Sequence, residues 1–489
     1  MAGFPVSLPA VSTMKRIITL VSIFLCPFLL MGQDAYRIRI TFKPYRNQYI
    51  YLGHYFGKSY PVIDSVRLDE TGTGVFKGTK KLNGGIYLIG YQDRTRYFEV
   101  LIDTQQTFAI VVDTLQQAEK IRFIGSPDNE LFQSYQKEVD GRGRTINALK
   151  QQLTTATAAD SARLIAAITT ADRDIRDYRE RFIRERPGTL LAALLTAMRE
   201  PELPAALQRP ANGPDSLAAY QLFKSRFWEG VGFWDGRLAY TTFFEEKLDK
   251  YFNQLVIPHP DSVIREIDHM MAFATASKEM TRFLLIKFIN RYINQKYMWE
   301  DAVFVHLFEK YLNGKEYDWL NEKGRKLVTD RAYSLMANIM GTPASDVVLP
   351  DSSGTLTGLY DLQADYTLLV FWDPTCGHCR EVLPRVDSFY RTAWKAAGLK
   401  LFAVAKETEG TRSDWTRFIR EEQIEHWTHV YCSKADDKAR IESGIPGYSQ
   451  LFDIQSFPVL YLLDREKRIM AKKLAVEQVG QVLDIKRQQ

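Results

Sequence analysis

The stretch FWDPTCGHCREVLP, residues 371–384, places two cysteines, Cys376 and Cys379, three positions apart directly after an apolar run. Such a pair can be a redox couple, half of a metal site, or two buried thiols that are neighbours by chance. Disulfide exchange needs a thiolate, and a thiolate is stabilised where a helix begins, by unpaired N–H groups and the helix dipole. The run TLLVFW (367–372) reads as a buried strand and the residues from Cys376 to about Ala397 as a helix, which puts Cys376 at the helix start. Cys379 then falls on the same helical face, within disulfide reach and one turn deeper. In that geometry Cys376 attacks and Cys379 resolves. His378 stands between them, and a positively polarised imidazole there would favour the Cys376 thiolate and make the disulfide more oxidising; the alternative is an exposed histidine without effect.

Rival chemistries need residues that this chain places differently. A zinc site needs about four ligands, and one C-x-x-C supplies two. The remaining cluster is HWTHVYC, where His426 and His429 point to opposite faces of the expected strand, so no metal is expected and Cys432 reads as a buried strand thiol. A peroxidatic cysteine would need a P-x-x-x-T/S-x-x-C setting, but Asp373 stands three before Cys376 and Pro374 two before it. Gly72, Gly74 and Gly78 lack the following Lys-Ser/Thr of a phosphate loop and read as hairpin turns. No motif calls for a nucleotide, haem or other cofactor beyond the cysteine pair.

At 489 residues the chain is too long for one core and suggests roughly three domains at about 100–200 residues each. Its net charge of +5 is modest, and the basic residues are spread rather than gathered with aromatics, so nucleic acid is not an expected partner. Near the N-terminus, Met14-Lys15-Arg16 precedes the apolar run IITLVSIFLCPFLLM and then GQD, the layout of a secretory signal peptide over residues 1–33, with Met14 an alternative start. The run is shorter than the ~20 residues of a membrane span. Cleavage would remove Cys26, Lys15 and Arg16, leaving Cys376, Cys379 and Cys432 and lowering the net charge by two, from +5 to +3. A large exported chain with three cysteines is not a disulfide-stapled scaffold, so its cysteines are expected to be chemical.

The elements around the pair divide the chain further. Residues 34–126 carry period-2 runs such as YRIRITF, QYIYLGHYF and GGIYLIGYQ separated by DETGTG and KLNGG, which predicts a small antiparallel β-sandwich or barrel. Residues 127–341 carry apolar residues at three-and-four spacing, with helices expected at 146–184, 187–199, 215–228, 240–255, 261–274, 277–296, 301–312 and 319–340. The aromatic-rich FWEGVGFWD and YMWEDAVFVHLF, His306 included, read as helix packing rather than as a cofactor pocket. Residues 342–489 alternate strand and helix, with further strands at 399–405, 428–432 and 459–464, a return strand at KRIM and a closing helix around 475–486, which predicts an α/β sheet sandwiched by helices.

Residues 343–489 resemble a thioredoxin-fold domain of the exported TlpA/ResA-like group, close to the alkyl hydroperoxide reductase/thiol-specific antioxidant grouping. The resemblance rests on the lead-in SDVVLPDSSGTLTGLYDL, Phe371-Trp372 ahead of Cys376-Gly377-His378-Cys379, Pro384 eight residues after the first cysteine, and Ser456-Phe457-Pro458 before VLYLLD. It implies a cis Pro458 facing the cysteine pair, a substrate groove lined by Trp372, Phe457 and Pro458, backbone hydrogen bonds from Phe457 to substrate, and supporting roles for Gly377, Thr375 and Pro384. Two positions depart from thioredoxin. Val370 stands where thioredoxin has a buried Asp that assists the resolving cysteine, leaving Asp373, Glu381 or water for that role, and Thr375 stands where it has Trp. The CGHC centre is similar to that of protein disulfide isomerases. The β and helical regions resemble the N-terminal and middle domains often fused to such modules, which implies architecture only.

The expectation is therefore a multidomain protein of N-terminal all-β sandwich or barrel, middle all-α domain and C-terminal thioredoxin fold. It would act as an exported thiol–disulfide oxidoreductase of the periplasm or cell envelope, on protein disulfides or dithiols, with a membrane electron donor or acceptor. The rival from another class is an envelope binding protein that uses the thioredoxin fold as a scaffold or as a redox switch.

Overall fold

The computed structural model describes residues 34–43, 45–113 and 121–487, so the apolar N-terminal run, Met14 and Cys26 lie outside the described residues. No helix among the described residues is long and apolar enough to cross a membrane.

Eight strands come first: β1 (Tyr36–Phe42), β2 (Tyr49–His54), β3 (Val62–Arg67), β4 (Thr73–Gly78), β5 (Gly85–Gly90), β6 (Tyr97–Ile102), β7 (Thr107–Val112) and β8 (Ile121–Ile124). In β1 the alternation works as its sequence predicts, with Tyr36, Ile38, Ile40 and Phe42 buried and Arg37 and Arg39 exposed. The strands form two four-stranded sheets, ordered β4-β1-β7-β8 and β3-β2-β5-β6. The expectation of a purely antiparallel arrangement needs correction, because β1 and β7 pair in parallel, Ile38 opposite Phe108. A parallel partner cannot be reached through a tight hairpin, and here β2 to β6, the whole second sheet and β4 of the first, come between β1 and β7. Gly72 makes the turn between β3 and β4 at φ 79°, where a side chain would meet the Phe42 carbonyl oxygen, and Asp69 accepts there from the N–H groups of Thr71 and Thr73.

Helices follow: α1 (Pro127–Leu153), α2 (Ala158–Glu185), α3 (Leu190–Met198), α4 (Ala205–Gln208), α5 (Gly213–Arg226), α6 (Phe243–Lys250), α7 (Pro260–Ala274), α8 (Lys278–Tyr292), α9 (Glu300–Leu307) and α10 (Glu322–Met336). The expected continuous helix over 146–184 is instead two helices. It breaks at Thr154–Thr157, where the Thr157 side chain caps α2 by accepting from the Asp160 N–H. Threonine favours such a cap over a helix interior because its hydroxyl competes for backbone groups. One apolar core runs without interruption from the sheets into these helices. Phe56 of the β region meets Phe283 of α8 edge-on at 5.3 Å, and His54 lies 4.4 Å from Tyr240. His306 is half-buried with Nε2 2.8 Å from Asp268, at the rim of the core.

The last third is an α/β unit with its own cores. A short hairpin, β9 (Val348–Pro350) and β10 (Leu356–Gly358), leads into β11 (Tyr366–Trp372), α11 (Gly377–Phe389), β12 (Leu399–Lys406), α12 (Arg412–Glu421), β13 (Thr428–Cys432), α13 (Lys434–Glu442), α14 (Tyr448–Leu451), β14 (Val459–Leu463), β15 (Ile469–Lys472) and α15 (Val476–Arg487). The five-stranded sheet is ordered β13-β12-β11-β14-β15, with β11, β12 and β13 parallel to one another, β14 antiparallel to β11 and β15 antiparallel to β14. Both faces are covered, so β11 is apolar from Leu368 onward: Leu368, Val370 and Trp372 enter one core, Leu369 and Phe371 the other. The return strand starts two residues later than KRIM suggests, because Lys467 closes a left-handed turn at φ 60° with its N–H on the Asp464 carbonyl. Helix α11 continues through a wide turn at Tyr390–Trp394 and a tight one at Lys395–Ala397 before Gly398 stops it.

Candidate active site

The two sulfurs lie where β11 gives way to α11. The chain leaves the sheet at Trp372, turns through Asp373-Pro374-Thr375, and starts the helix with Cys376 in extended conformation at the cap position and Gly377 as the first helical residue. The Cys376 N–H donates to the Asp373 carbonyl, closing that turn. Cys376 is partly exposed, Cys379 has 0 % exposure, and both are reduced. Burial pushes the Cys379 thiol well above its ordinary range, and the neighbouring Cys376 sulfur and Asp373 carboxylate add to the effect. An accessible sulfur at a helix start above a buried one can exchange a disulfide in two steps.

Across the site runs the segment before β14. The Phe457–Pro458 peptide is cis, and the Cys376 sulfur lies 3.8 Å from the Phe457 carbonyl oxygen. Phe457 and Pro458 are half-buried and border the exposed sulfur. Trp372, expected in the groove, has 0 % exposure and lies 4.8 Å ring to ring from Phe418, so it backs the active-site turn and offers no surface to a substrate. A residue that ends an interior strand of a doubly covered sheet has both faces occupied, which is why its ring is in the core.

Asp373 is the polar group that the sequence left undecided. It is 2 % exposed, its Oδ1 accepts from the Thr375 N–H and hydroxyl, both at 2.6 Å, and its Oδ2 accepts from the Thr408 hydroxyl. Its backbone N–H faces the Cys379 sulfur and its carboxylate acts on that thiol. Glu381, the other candidate, is exposed and lies 3.6 Å from the exposed His378 ring, turned to solvent. Val370 is buried among apolar side chains. The loop after β12 closes over the turn so tightly that a side chain at Gly410 would come within 2.5 Å of the Thr375 methyl group.

Pro384 sits inside α11, where it cannot donate to the Arg380 carbonyl. The second cluster of possible ligands disperses: His426 Nε2 reaches Asp387 at 2.8 Å, His429 Nε2 reaches the Ile424 carbonyl at 2.8 Å, and Cys432 lies in the opposite core. Among the described residues no three or more His, Cys, Asp or Glu side chains gather as a metal site would require.

Residues 340–477 match the model of the AhpC/TSA family, and residues 148–335 match that of a domain of unknown function, DUF5106. No curated protein matches this chain. Among solved structures, a domain of a possible thiol-disulfide isomerase from Cytophaga hutchinsonii is 32% identical over 30% of this chain and 93% of that one, with a TM-score of 0.27. The thioredoxin domain of a thiol-disulfide oxidoreductase from Bacteroides vulgatus is 27% identical over 29% and 97%, TM-score 0.25. A thioredoxin-like protein from Bacteroides caccae is 19% identical over 59% and 98%, TM-score 0.42. Residues 340–477 are therefore an AhpC/TSA-family domain, thioredoxin-like in its five-stranded sheet and joined to a DUF5106 domain at residues 148–335.

Proposed function

We propose that the protein is a thiol–disulfide oxidoreductase acting on protein disulfides through Cys376 and Cys379. The observation that carries this reading is the partly exposed Cys376 sulfur at the start of α11, 3.8 Å from the Phe457 carbonyl, with the wholly buried Cys379 one turn below. In the reducing direction the Cys376 thiolate attacks a substrate disulfide, that S–S bond breaks, one substrate sulfur leaves as thiolate, and a mixed disulfide forms. Cys379 then gives up its proton and attacks the Cys376 sulfur, releasing the second substrate thiolate. Two electrons pass to the substrate, whose sulfurs take up two protons, and the pair ends as a disulfide.

Asp373 takes the Cys379 proton in this reading. Its carboxylate accepts three hydrogen bonds, leaving room for a fourth. Phe457 and Pro458 border the substrate, and Trp372, Thr375, Gly377 and Pro384 shape the turn and helix. His378 is exposed and free to reach toward an approaching substrate. The reaction needs no cofactor beyond the cysteine pair. The layout of residues 1–33 supports export to the periplasm or cell envelope, with a membrane electron donor or acceptor renewing the pair.

The deciding experiment is the reduction potential of the Cys376–Cys379 pair, equilibrated with glutathione, with Cys376→Ser as control. A value near roughly −180 mV makes the protein an oxidant or isomerase, and one near about −270 mV a reductant. Absence of any reversible disulfide overturns the oxidoreductase reading and leaves a binding protein on a thioredoxin scaffold.

A further inference from the structure

The helical region grips the α/β unit close to the segment that faces Cys376. Asp453 lies four residues before Phe457, is buried, and holds a left-handed backbone at φ 43°. Its Oδ1 accepts from Arg331 Nη1 at 2.5 Å and the Ser334 hydroxyl at 3.1 Å, both on α10, and from Gln455 Nε2 at 3.2 Å. Its Oδ2 pairs with Lys473, just past β15. Arg331 is itself fixed by the Ile293 carbonyl and the Gln295 side chain. Beside it, Asn338 donates to the Leu451 carbonyl and accepts Lys472 Nζ, which also meets Asp301 of α9.

The consequence is mechanical. Val459 onward is tied into the sheet by β11, Asp453 is tied to α10 and the Ile454 N–H to the Ser449 carbonyl, so only residues 455–458 span the two anchors. A short loop with both ends fixed has few conformations, and the one observed turns the Phe457 carbonyl to Cys376. Without the Arg331 contact, Asp453 would keep Ser334, Gln455 and Lys473 but lose its shortest hydrogen bond to α10, and a left-handed aspartate would have less to hold it there.

We infer that Asp453 and Arg331 are positioning residues for disulfide exchange: through them the helical region sets the backbone of the Phe457–Pro458 segment along which an extended substrate lies. The inference rests on the oxidoreductase reading and deepens it, by making the helical region part of substrate placement.

The test uses the full chain with Arg331→Met, Arg331→Lys and Asp453→Asn, the last keeping a residue that tolerates the left-handed region. Two substrates are compared, oxidised glutathione and a short synthetic peptide closed by one disulfide. Arg331→Met and Asp453→Asn should raise KM for the peptide about tenfold, with kcat and the glutathione reaction changed less than about twofold, and Arg331→Lys should restore most of the peptide KM. Amide exchange at Asp453 and Ile454, whose N–H groups are held by the Gln450 and Ser449 carbonyls, needs no turnover and should quicken about tenfold in Arg331→Met. Unchanged peptide KM and unchanged exchange, with only a lower melting temperature, would reduce the contact to a structural one and overturn the inference. A wild-type protein that turns over neither substrate would instead overturn the oxidoreductase reading, and the positioning role assigned to Asp453 and Arg331 with it.

Discussion

Lys472 and Asp301 form an ion pair with both side chains 3 % exposed, joining β15 to α9. Burial works against both charges, pushing the Asp301 carboxyl up and the Lys472 ammonium down, while each partner holds the other ionised. Removing one partner leaves a lone buried charge, so Lys472→Met should cost about 3–5 kcal/mol in denaturant unfolding. The double variant Lys472→Met/Asp301→Leu should recover most of that loss, since an apolar pair of similar volume needs no solvation. A double variant as unstable as the single one would show that Asn338, not Asp301, is the partner that matters.

The three thiols among the described residues differ in environment and should differ in reactivity. Cys376 is partly exposed, whereas burial raises the Cys379 thiol and pushes Cys432 up to about 12. Iodoacetamide at pH 8 should therefore label Cys376 alone in the reduced native protein, and the other two only after unfolding. Peptide mass mapping reads the result, and early labelling of Cys432 would contradict its burial.

Asp373→Asn removes the base and keeps the shape. The turn should persist, because an amide oxygen can still accept from Thr375. The first step, attack by Cys376, should proceed at nearly the wild-type rate, while resolution by Cys379 slows by about 100-fold, so mixed disulfide accumulates. Quenched-flow trapping separates the two steps, and equal slowing of both would assign Asp373 to the turn rather than to the proton.

His429 gives the fold an acid-sensitive point. It is buried with Nε2 on the Ile424 carbonyl, and burial lowers its pKa to about 4. The unfolded chain protonates this ring near pH 6.5, so its contribution is whole above that pH and is lost as the pH falls toward 4. The loss should reach about 3 kcal/mol. Melting temperatures from pH 7 to 4 should fall more steeply for wild type than for His429→Gln, and parallel curves would refute the assignment.

What could be seen in the sequence was what neighbours along the chain decide. The alternation in Tyr36–Phe42, the doubly buried run of β11 and the cysteine spacing at a helix start are local, and each marks its element. What could not be seen depends on distant partners. Asp373 becomes a buried carboxylate only because Thr408 and Gly410, from a loop beyond the next strand, close over it. The Arg331–Asp453 contact joins residues 122 positions apart, and nothing in either local segment announces it. The family resemblance put Trp372 in the groove, whereas the doubly covered sheet draws it inward. The break at Thr154–Thr157 was hidden by helical spacing that continues on both sides of it.

The parallel pairing of β1 with β7 also bears on how the chain acquires its shape. The strand that is made first is an interior strand, and one of its two neighbours is synthesised some sixty residues later. Until β7 arrives, the apolar face of Tyr36–Phe42 and one row of its backbone hydrogen-bonding groups have no partner in that sheet. Contacts of such long sequence separation form slowly, because the closure of the intervening loop must precede any gain from it. The first strand described thus waits for its second partner, and a chain caught before β7 is in place presents an open strand edge to whatever holds unfolded proteins in its compartment.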